Sequence, residues 1–297
     1  MATPTAWLMN LDADVELSAP QLYRPSAERE ERIAGLVQRM TTLLTLVDVV
    51  VGQRAEPAAG KPVFAFCPTP SALRRLRTLG LELASPAPSV EVLREANGRA
   101  FCARLGQTME GAAYAYTMET IEQCVASIGP GKDLVLKRAF GFAGRERRRV
   151  VGGAFDANTL GFARRSLESG EGLQVEPWVE RTRDFALHGY LGIGGELLVG
   201  PLMQQHCDAM GRWQRSSPAE GELDPDFRAR LDREIARSAR ALHAIGYFGP
   251  FGVDAFEYLD ARGRIAFQPR SEINARFSMG YPRSLLERAL RELISPS

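Results

Sequence analysis

The sequence predicts an α/β (α+β) protein, with a small parallel α/β unit at its start and two α+β subdomains behind it. Three observations carry this expectation. Over the first ninety residues short apolar strands alternate with helical patterns, as a parallel sheet with crossover helices requires. The second half shows strand runs separated by turn residues, in the manner of antiparallel hairpins. A length of 297 residues, 45% hydrophobic and 25% charged, supports one large domain or two to three small ones stacked together. It excludes a disordered chain, a collagen and a coiled-coil rod.

Ala6, Trp7, Leu8 and Met9 form a short apolar strand, followed by the polar turn Asn10-Leu11-Asp12-Ala13-Asp14. Ile33, Leu36, Val37, Met40, Leu43 and Leu44 recur at helical spacing and predict a helix over 28–46. The β-branched run 47–51 ends at Gly52 and reads as a buried strand, and 63–66 reads as another. Pro68-Thr69-Pro70-Ser71 breaks the chain and starts a helix through Arg77. A proline-marked linker at 86–89 closes this unit, so the first domain is expected at 1–90.

Behind it, 97–105 has a helical pattern, and Thr117 to Thr120 open a helix over 121–128 that Gly129-Pro130-Gly131 closes. Strands follow at 133–138 and 149–151 around a glycine turn at 141–144. After a loop at 168–172 come strands at 173–179, 184–191 and 196–199. Residues 225–245 form a long helix; 251–259, 264–267 and 271–274 alternate as antiparallel strands; 281–293 is a closing helix. The two subdomains are expected at 91–175 and 176–297. No repeat or low-complexity tract is present.

Charge and cysteine usage remove several function classes. Lys plus Arg number 37 and Asp plus Glu 36, a net charge of +1, which gives no broad electrostatic case for nucleic acid or an anionic membrane. Cys67, Cys102, Cys124 and Cys207 form no C-x-x-C pair, and with three histidines a His/Cys zinc site is not expected. The apolar run 43–51 is too short to span a bilayer and contains Asp48. The first residues lack the basic segment and apolar core of a signal peptide. A soluble cytoplasmic protein is the expectation.

Three elements could carry chemistry. In the first, Lys137 ends the apolar strand Leu134-Val135-Leu136, and a loop from Gly141 through Gly144 to Arg145 follows. A cation at a strand end, beside backbone N–H groups that can approach an anion, suits a polyphosphate. The alternative is a hairpin with an exposed lysine. It is not a P-loop, because no Gly-Lys-Ser or Gly-Lys-Thr follows. Arg147, Arg148 and Arg149 read as a solvated strand face.

The second element is Gln174-Val175-Glu176-Pro177-Trp178-Val179, with Asp184 shortly after. A strand edge can read an adenine edge and a nearby carboxylate can accept from ribose hydroxyls. A core tryptophan and exposed strand carboxylates are the competing reading. The third element is Asp254 in one apolar strand and Glu272-Ile273-Asn274-Ala275-Arg276 in the next. Alternation puts Glu272, Asn274 and Arg276 in one row, and pairing lets Asp254 lie across from it. Two carboxylates and an amide oxygen suit Mg²⁺, and an arginine beside them suits a phosphoryl oxygen. A solvated face laced with ion pairs is the alternative.

In this order and at these separations, the three elements resemble an ATP-grasp protein. The resemblance implies ATP and one or two Mg²⁺ ions as cofactors, with Mn²⁺ able to substitute. It implies Lys137 on the phosphates, the loop Gly141 to Arg145 as a lid, Glu176, Trp178 and Val179 at adenine, and Asp184 at ribose. Arg99, in Asn97-Gly98-Arg99, matches a cation that contacts ATP. Asp254, Glu272 and Asn274 match the metal ligands, and Arg276 an arginine aimed at the transferring phosphate. The opening turn, Glu176-Pro177, Asp184-Phe185, Glu272 to Arg276 and Met279-Gly280 resemble a little-characterised bacterial branch. In that branch the turn carries a proline and a histidine where Leu11 and Ala13 stand here, so any role of the histidine is lost or falls to Asp12 or Asp14.

The activity so implied is ATP-dependent ligation: a carboxylate is activated as an acylphosphate and attacked by an amine, releasing ADP and phosphate. Lys137, Arg145 and Arg276 would be the catalytic cations. Partners are then ATP, a small carboxylate and an amine acceptor, without nucleic acid or membrane, and a homodimer is a candidate assembly. Two other classes stay open: an ATP-grasp kinase, and a non-catalytic nucleotide-binding or scaffold protein. A Rossmann dehydrogenase lacks its G-x-G-x-x-G after the first strand. His188 reads as core or surface filler, and 204–215 as either an acceptor pocket or a surface loop.

Overall fold

The computed structural model describes residues 3–52, 56–141, 146–208 and 212–294. The first unit runs β1 (Ala6–Leu8), α1 (Ala13–Ser18), α2 (Ala27–Val37), β2 (Val49–Val50), β3 (Val63–Ala65) and α3 (Pro70–Thr78). Its parallel sheet has the order β2-β1-β3. The helix expected over 28–46 ends at Val37, nine residues early. Met40 and Leu43 still reach the core, but from turns. Asp48 anchors the segment beyond these turns: its carboxylate accepts from the backbone N–H groups of Thr5 and Thr45, at 2.8 and 2.7 Å, and pairs with Arg283 at 2.9 Å. At Thr45 this side-chain acceptor takes the place of a helical carbonyl. The strand expected to be buried at 47–51 is instead an edge, with Val50 about half exposed. The polar opening turn continues into α1, which the sequence did not announce.

The next stretch begins with α4 (Val90–Asn97) and α5 (Arg99–Arg104), then β4 (Ala113–Ala115), α6 (Met118–Ile128), β5 (Leu134–Arg138), β6 (Arg147–Val150), α7 (Ala157–Glu168) and β7 (Leu173–Pro177). The four strands form an antiparallel sheet in the order β4-β7-β5-β6. α6 and α7 cover one face, where Ile121, Cys124, Phe162 and Ala163 bury Leu134, Leu136, Leu173 and Val175. Strand alternation turns Val135, Lys137, Gln174 and Glu176 to the other face. Neither α4 nor α7 was expected. The signals were there: Thr159, Phe162, Ala163 and Ser166 are buried at helical spacing, and Asp156 caps α7 through Thr159 N–H at 2.6 Å.

The large sheet comprises β8 (Arg181–Leu191), β9 (Leu197–Cys207), β10 (Trp213–Pro218), β11 (Gly249–Leu259) and β12 (Ile265–Asn274), in the antiparallel order β10-β9-β8-β11-β12. The long helix α8 (Pro225–Ala244) packs on it, and α4 and α5 join the same core through Leu93, Ala96, Phe101 and Cys102. The closing helix α9 (Arg283–Ala289) starts two residues later than expected and carries Leu285 and Leu286 into a shared core with Trp7 and Phe64. That shared core fixes the first unit against the large sheet.

Two strands run through prolines, beyond the bounds expected for them. The strand expected to end at Val199 passes through Pro201 to Cys207, and β10 occupies part of what reads as the connection 200–222. Pro201 is tolerated because the β8–β9 register slips there, from Leu187↔Leu202 to Gly189↔Val199, leaving His188 at a bulge. The runs 264–267 and 271–274 are one strand across Pro269, with a second bulge between Phe256↔Gln268 and Asp254↔Glu272. Arg270, inside that bulge, is buried and donates to the carbonyls of Cys102, Leu105 and Gly106 at the end of α5, at 2.5, 3.0 and 3.1 Å. A cation there satisfies helix-end acceptors and pins β12 to α5. Among the described residues no helix is long and apolar enough to cross a membrane.

Candidate functional site

A cleft of about 700 Å³ lies between the small and large sheets, and Leu11 and Phe66 of the first unit also reach its wall. Lys137, Arg99, Gly141, Glu176, Trp178, Val179, Asp184, Asp254, Glu272, Asn274 and Arg276 all line it. Gly144 and Arg145, the other candidates, lie outside the described residues, as do Phe142 and Ala143.

On the small-sheet wall Lys137 is buried and ion-paired with Glu176. Burial lowers the Lys137 pKa, the nearby Glu176 carboxylate opposes that, and Arg181 and Arg99 add to the lowering. Glu176 is itself saturated: its other oxygen accepts from Thr108 Oγ1 at 2.6 Å and Gln174 Nε2 at 2.7 Å. Its side chain is therefore committed to Lys137, which leaves only the backbone of this residue to meet a ligand. Trp178 is not core. It is 39% exposed, and the Arg149 guanidinium sits 4.5 Å over its ring. Val179 packs beside Met109 and Phe256. Asp184 pairs with Arg181 at 3.0 Å.

On the large-sheet wall Asp254 and Glu272 are direct register partners across β11 and β12. Asp254 accepts from Gln205 Nε2 at 2.8 Å and from Asn274 Nδ2 at 3.0 Å. Burial and the neighbouring Glu272 charge push Asp254 up to about 7. Burial also acts to raise Glu272, but Arg99, Lys137 and Arg276 outweigh it and hold this carboxylate below its usual value. Two opposed carboxylates and an amide oxygen form a hard-oxygen donor set, in which Glu272 is paired with Arg99 and Asp254 is hydrogen-bonded by neutral amides. The residues fit a divalent cation of the Mg²⁺ type. Among the described residues no group of three His, Cys, Asp or Glu side chains is placed to hold a metal, so the amide of Asn274 is integral to the fit.

Arg99 joins the two walls. Its Nη1 donates to the Arg138 carbonyl at 2.6 Å and its Nη2 to Glu272 at 2.9 Å. Arg276 reaches the other way, with Nη2 and Nε on the Asp14 carboxylate of α1 at 2.6 and 3.3 Å. Burial acts to lower the Arg276 pKa, but Asp14 reverses the direction and raises it.

Several contributors escaped the sequence reading. Thr108 and Gln174 hold Glu176, and Gln205 holds Asp254. Asn97 exchanges hydrogen bonds with the Ala275 backbone, at 3.0 and 3.2 Å, and so fixes the chain between Asn274 and Arg276. Arg147, read as part of a solvated face, lines the cleft. Gln205, His206, Asp208 and Trp213 of the ambiguous stretch 204–215 line it too. Strand parity marks Gln174 from Glu176 alone. The others depend on contacts between distant segments, which no local pattern carries.

No family model matches the chain, and no curated protein matches its sequence. Solved structures do match. The biotin carboxylase of Campylobacter jejuni in complex with βγ-ATP aligns with a TM-score of 0.59 at 14% identity, over 99% of this chain and 71% of that one. The biotin carboxylase domain of Hydrogenobacter thermophilus 2-oxoglutarate carboxylase, with MgADP, ADP and bicarbonate, gives 0.51 at 13%, over 94% and 65%. The N5-carboxyaminoimidazole ribonucleotide synthetase of Thermus thermophilus gives 0.50 at 21%, over 93% and 72%. These are ATP-grasp proteins, and the chain shares their fold.

Proposed function

We propose that this protein is an ATP-dependent ligase that activates a carboxylate as an acylphosphate for attack by an amine, releasing ADP and phosphate. The observation that carries the reading is one cleft holding Lys137 and Arg99 on one side and the opposed pair Asp254–Glu272, with Asn274, on the other. Likeness to structures that hold ADP or an ATP analogue supports it.

In this reading Lys137 meets the nucleotide phosphates, with Glu176 keeping the buried ammonium charged and aimed. Arg99 ties the phosphate side to Glu272, so the walls are registered to each other before nucleotide arrives. Asp254, Glu272 and Asn274 would hold Mg²⁺, which supplies charge neutralisation of the phosphates. Arg276, steadied by Asp14, stabilises charge on the acylphosphate oxygens. Trp178 and Val179 supply flat apolar surface for adenine, and Asp184 accepts from ribose. The protein's work is positioning and water exclusion, since the phosphoryl transfer needs little covalent help.

Calorimetric titration of ATP with and without Mg²⁺ tests this. Saturable, Mg²⁺-dependent binding that weakens at least tenfold in Lys137→Ala is expected. A folded protein that binds no nucleotide in either condition would refute the reading. Product analysis with carboxylate and amine pairs then separates ligase from kinase: a kinase stops at the phosphorylated substrate.

A further inference from the structure

We infer that the Ser278 hydroxyl, fixed as a hydrogen-bond donor by His188, is a binding group for an oxyanion of the acceptor substrate. The inference deepens the ligase reading and rests on it for the identity of that substrate as a carboxylate.

Ser278 is on the cleft wall, two residues beyond Arg276. Behind it His188 is fully enclosed, at 1% exposure, with Nε2 2.6 Å from Ser278 Oγ. The fold makes room for this ring in three ways. The bulge opposite Pro201 places it. Gly252 on β11 admits it, because a Cβ there would come within 3.0 Å of His188 Cδ2. Tyr281 packs edge-on at 5.2 Å between ring centroids. An apolar side chain would fill such a space without the cost of a buried polar group. The polar contact to Ser278 is what the imidazole adds.

The direction of that hydrogen bond follows from the other ring nitrogen. Nδ1 is buried and has no partner among the described residues. Burial holds the ring neutral, with a pKa near 3, so it carries a single N–H. Placing the hydrogen on Nδ1 would bury an unpaired donor, a rarer fault in proteins than an unmet acceptor. With the hydrogen on Nε2, His188 donates to Ser278 Oγ. The serine's own hydrogen is then directed away from the ring and available to the cleft. Ser278 Oγ has no other partner among the described residues.

A donor at this point selects an acceptor atom on the ligand. Arg276 explains why a second donor is useful. Asp14 occupies its Nε and Nη2 edge, leaving Nη1 with only a long 3.4 Å contact to the Phe277 carbonyl. One free arginine nitrogen fixes a carboxylate poorly, and the Ser278 hydroxyl supplies the second point.

Two measurements test the inference. Nitrogen NMR of histidine-labelled protein, with His188 assigned by its disappearance in His188→Gln, should show the hydrogen on Nε2; a hydrogen on Nδ1 would overturn the assignment. Titration with ¹³C-acetate, the simplest carboxylate, on nucleotide-free protein should show binding about tenfold weaker in Ser278→Ala. Ser278→Thr, which keeps the hydroxyl, should stay within about twofold of wild type. Equal acetate binding by wild type and Ser278→Ala, or no acetate binding by wild type, would overturn it. Parallel titration with MgATP separates the two readings: lost nucleotide binding with the acetate pattern intact would sink the ligase and leave the oxyanion site standing.

Discussion

The two walls of the cleft treat buried charge in opposite ways. On the small sheet, Lys137 and Glu176 neutralise each other, and Thr108 and Gln174 meet the remaining oxygen. On the large sheet, Asp254 faces Glu272, and the hydrogen bonds it receives come from the neutral amides Gln205 and Asn274. One wall is complete as folded; on the other, Glu272 pairs with Arg99 while Asp254 meets only neutral hydrogen-bond donors among the described residues. A site that takes both a polyanion and a cation gains from this division. The closed pair presents a formed lysine, and under the proposed function the carboxylate pair would receive the divalent ion.

The largest test breaks the closed wall. Glu176→Gln leaves Lys137 buried without its counter-charge and should cost about 3–5 kcal/mol in urea unfolding. Replacing both with apolar residues of similar volume should recover much of that loss. If the single variant unfolds like wild type, the wall is not the closed unit described.

The open wall should respond with the opposite sign. Asp254→Asn removes a like-charge contact and should raise the stability of metal-free protein by up to about 1 kcal/mol. The same change should erase any rise in melting temperature on adding Mg²⁺. Glu272→Gln should stay folded and lose ATP turnover by about a hundredfold or more. Full activity in that variant would remove the metal assignment.

A pH series sharpens the contrast through a third buried group that carries no charge. His188 has a folded-state pKa near 3, below its ordinary 6.5. The native protein therefore binds fewer protons than the unfolded chain in that interval. Stability from this group is full above about 6.5 and is lost as pH falls toward 3. Asp254, raised to about 7, acts with the opposite sign over the same interval in both proteins, so the readout is the difference: between pH 7 and 5 wild type should lose unfolding free energy relative to His188→Gln. The smallest effect is at the rim: Arg149→Ala, which removes the guanidinium from the exposed Trp178 ring, should cost only about 0.5 kcal/mol by the same unfolding measurement.

Much of the site was legible because its chemistry is local. Glu272, Asn274 and Arg276 share a row by strand parity, and Lys137 ends an apolar strand whose alternate residues face a helix layer. What failed were inferences from single residue types. The strands expected at 196–199, 264–267 and 271–274 run on through Pro201 and Pro269, because bulges absorb the prolines. Met40 and Leu43 suggested a longer helix, yet both reach the core from turns. His188, read as filler, acquired a partner ninety positions away in Ser278.

The sequence by itself determined most of the strands and the long helix, the parallel start, the antiparallel finish and the residues that could meet a phosphate or a cation. These follow from periodicity and residue chemistry, which act over a few positions. Only the tertiary structure decided that Glu176 serves Lys137, that Arg99 bridges the walls, and that Asp14 of the first unit steadies Arg276 near the other end of the chain. Charge pairing acts through space over a few ångströms. Separation along the chain carries no information about it until the sheets have packed.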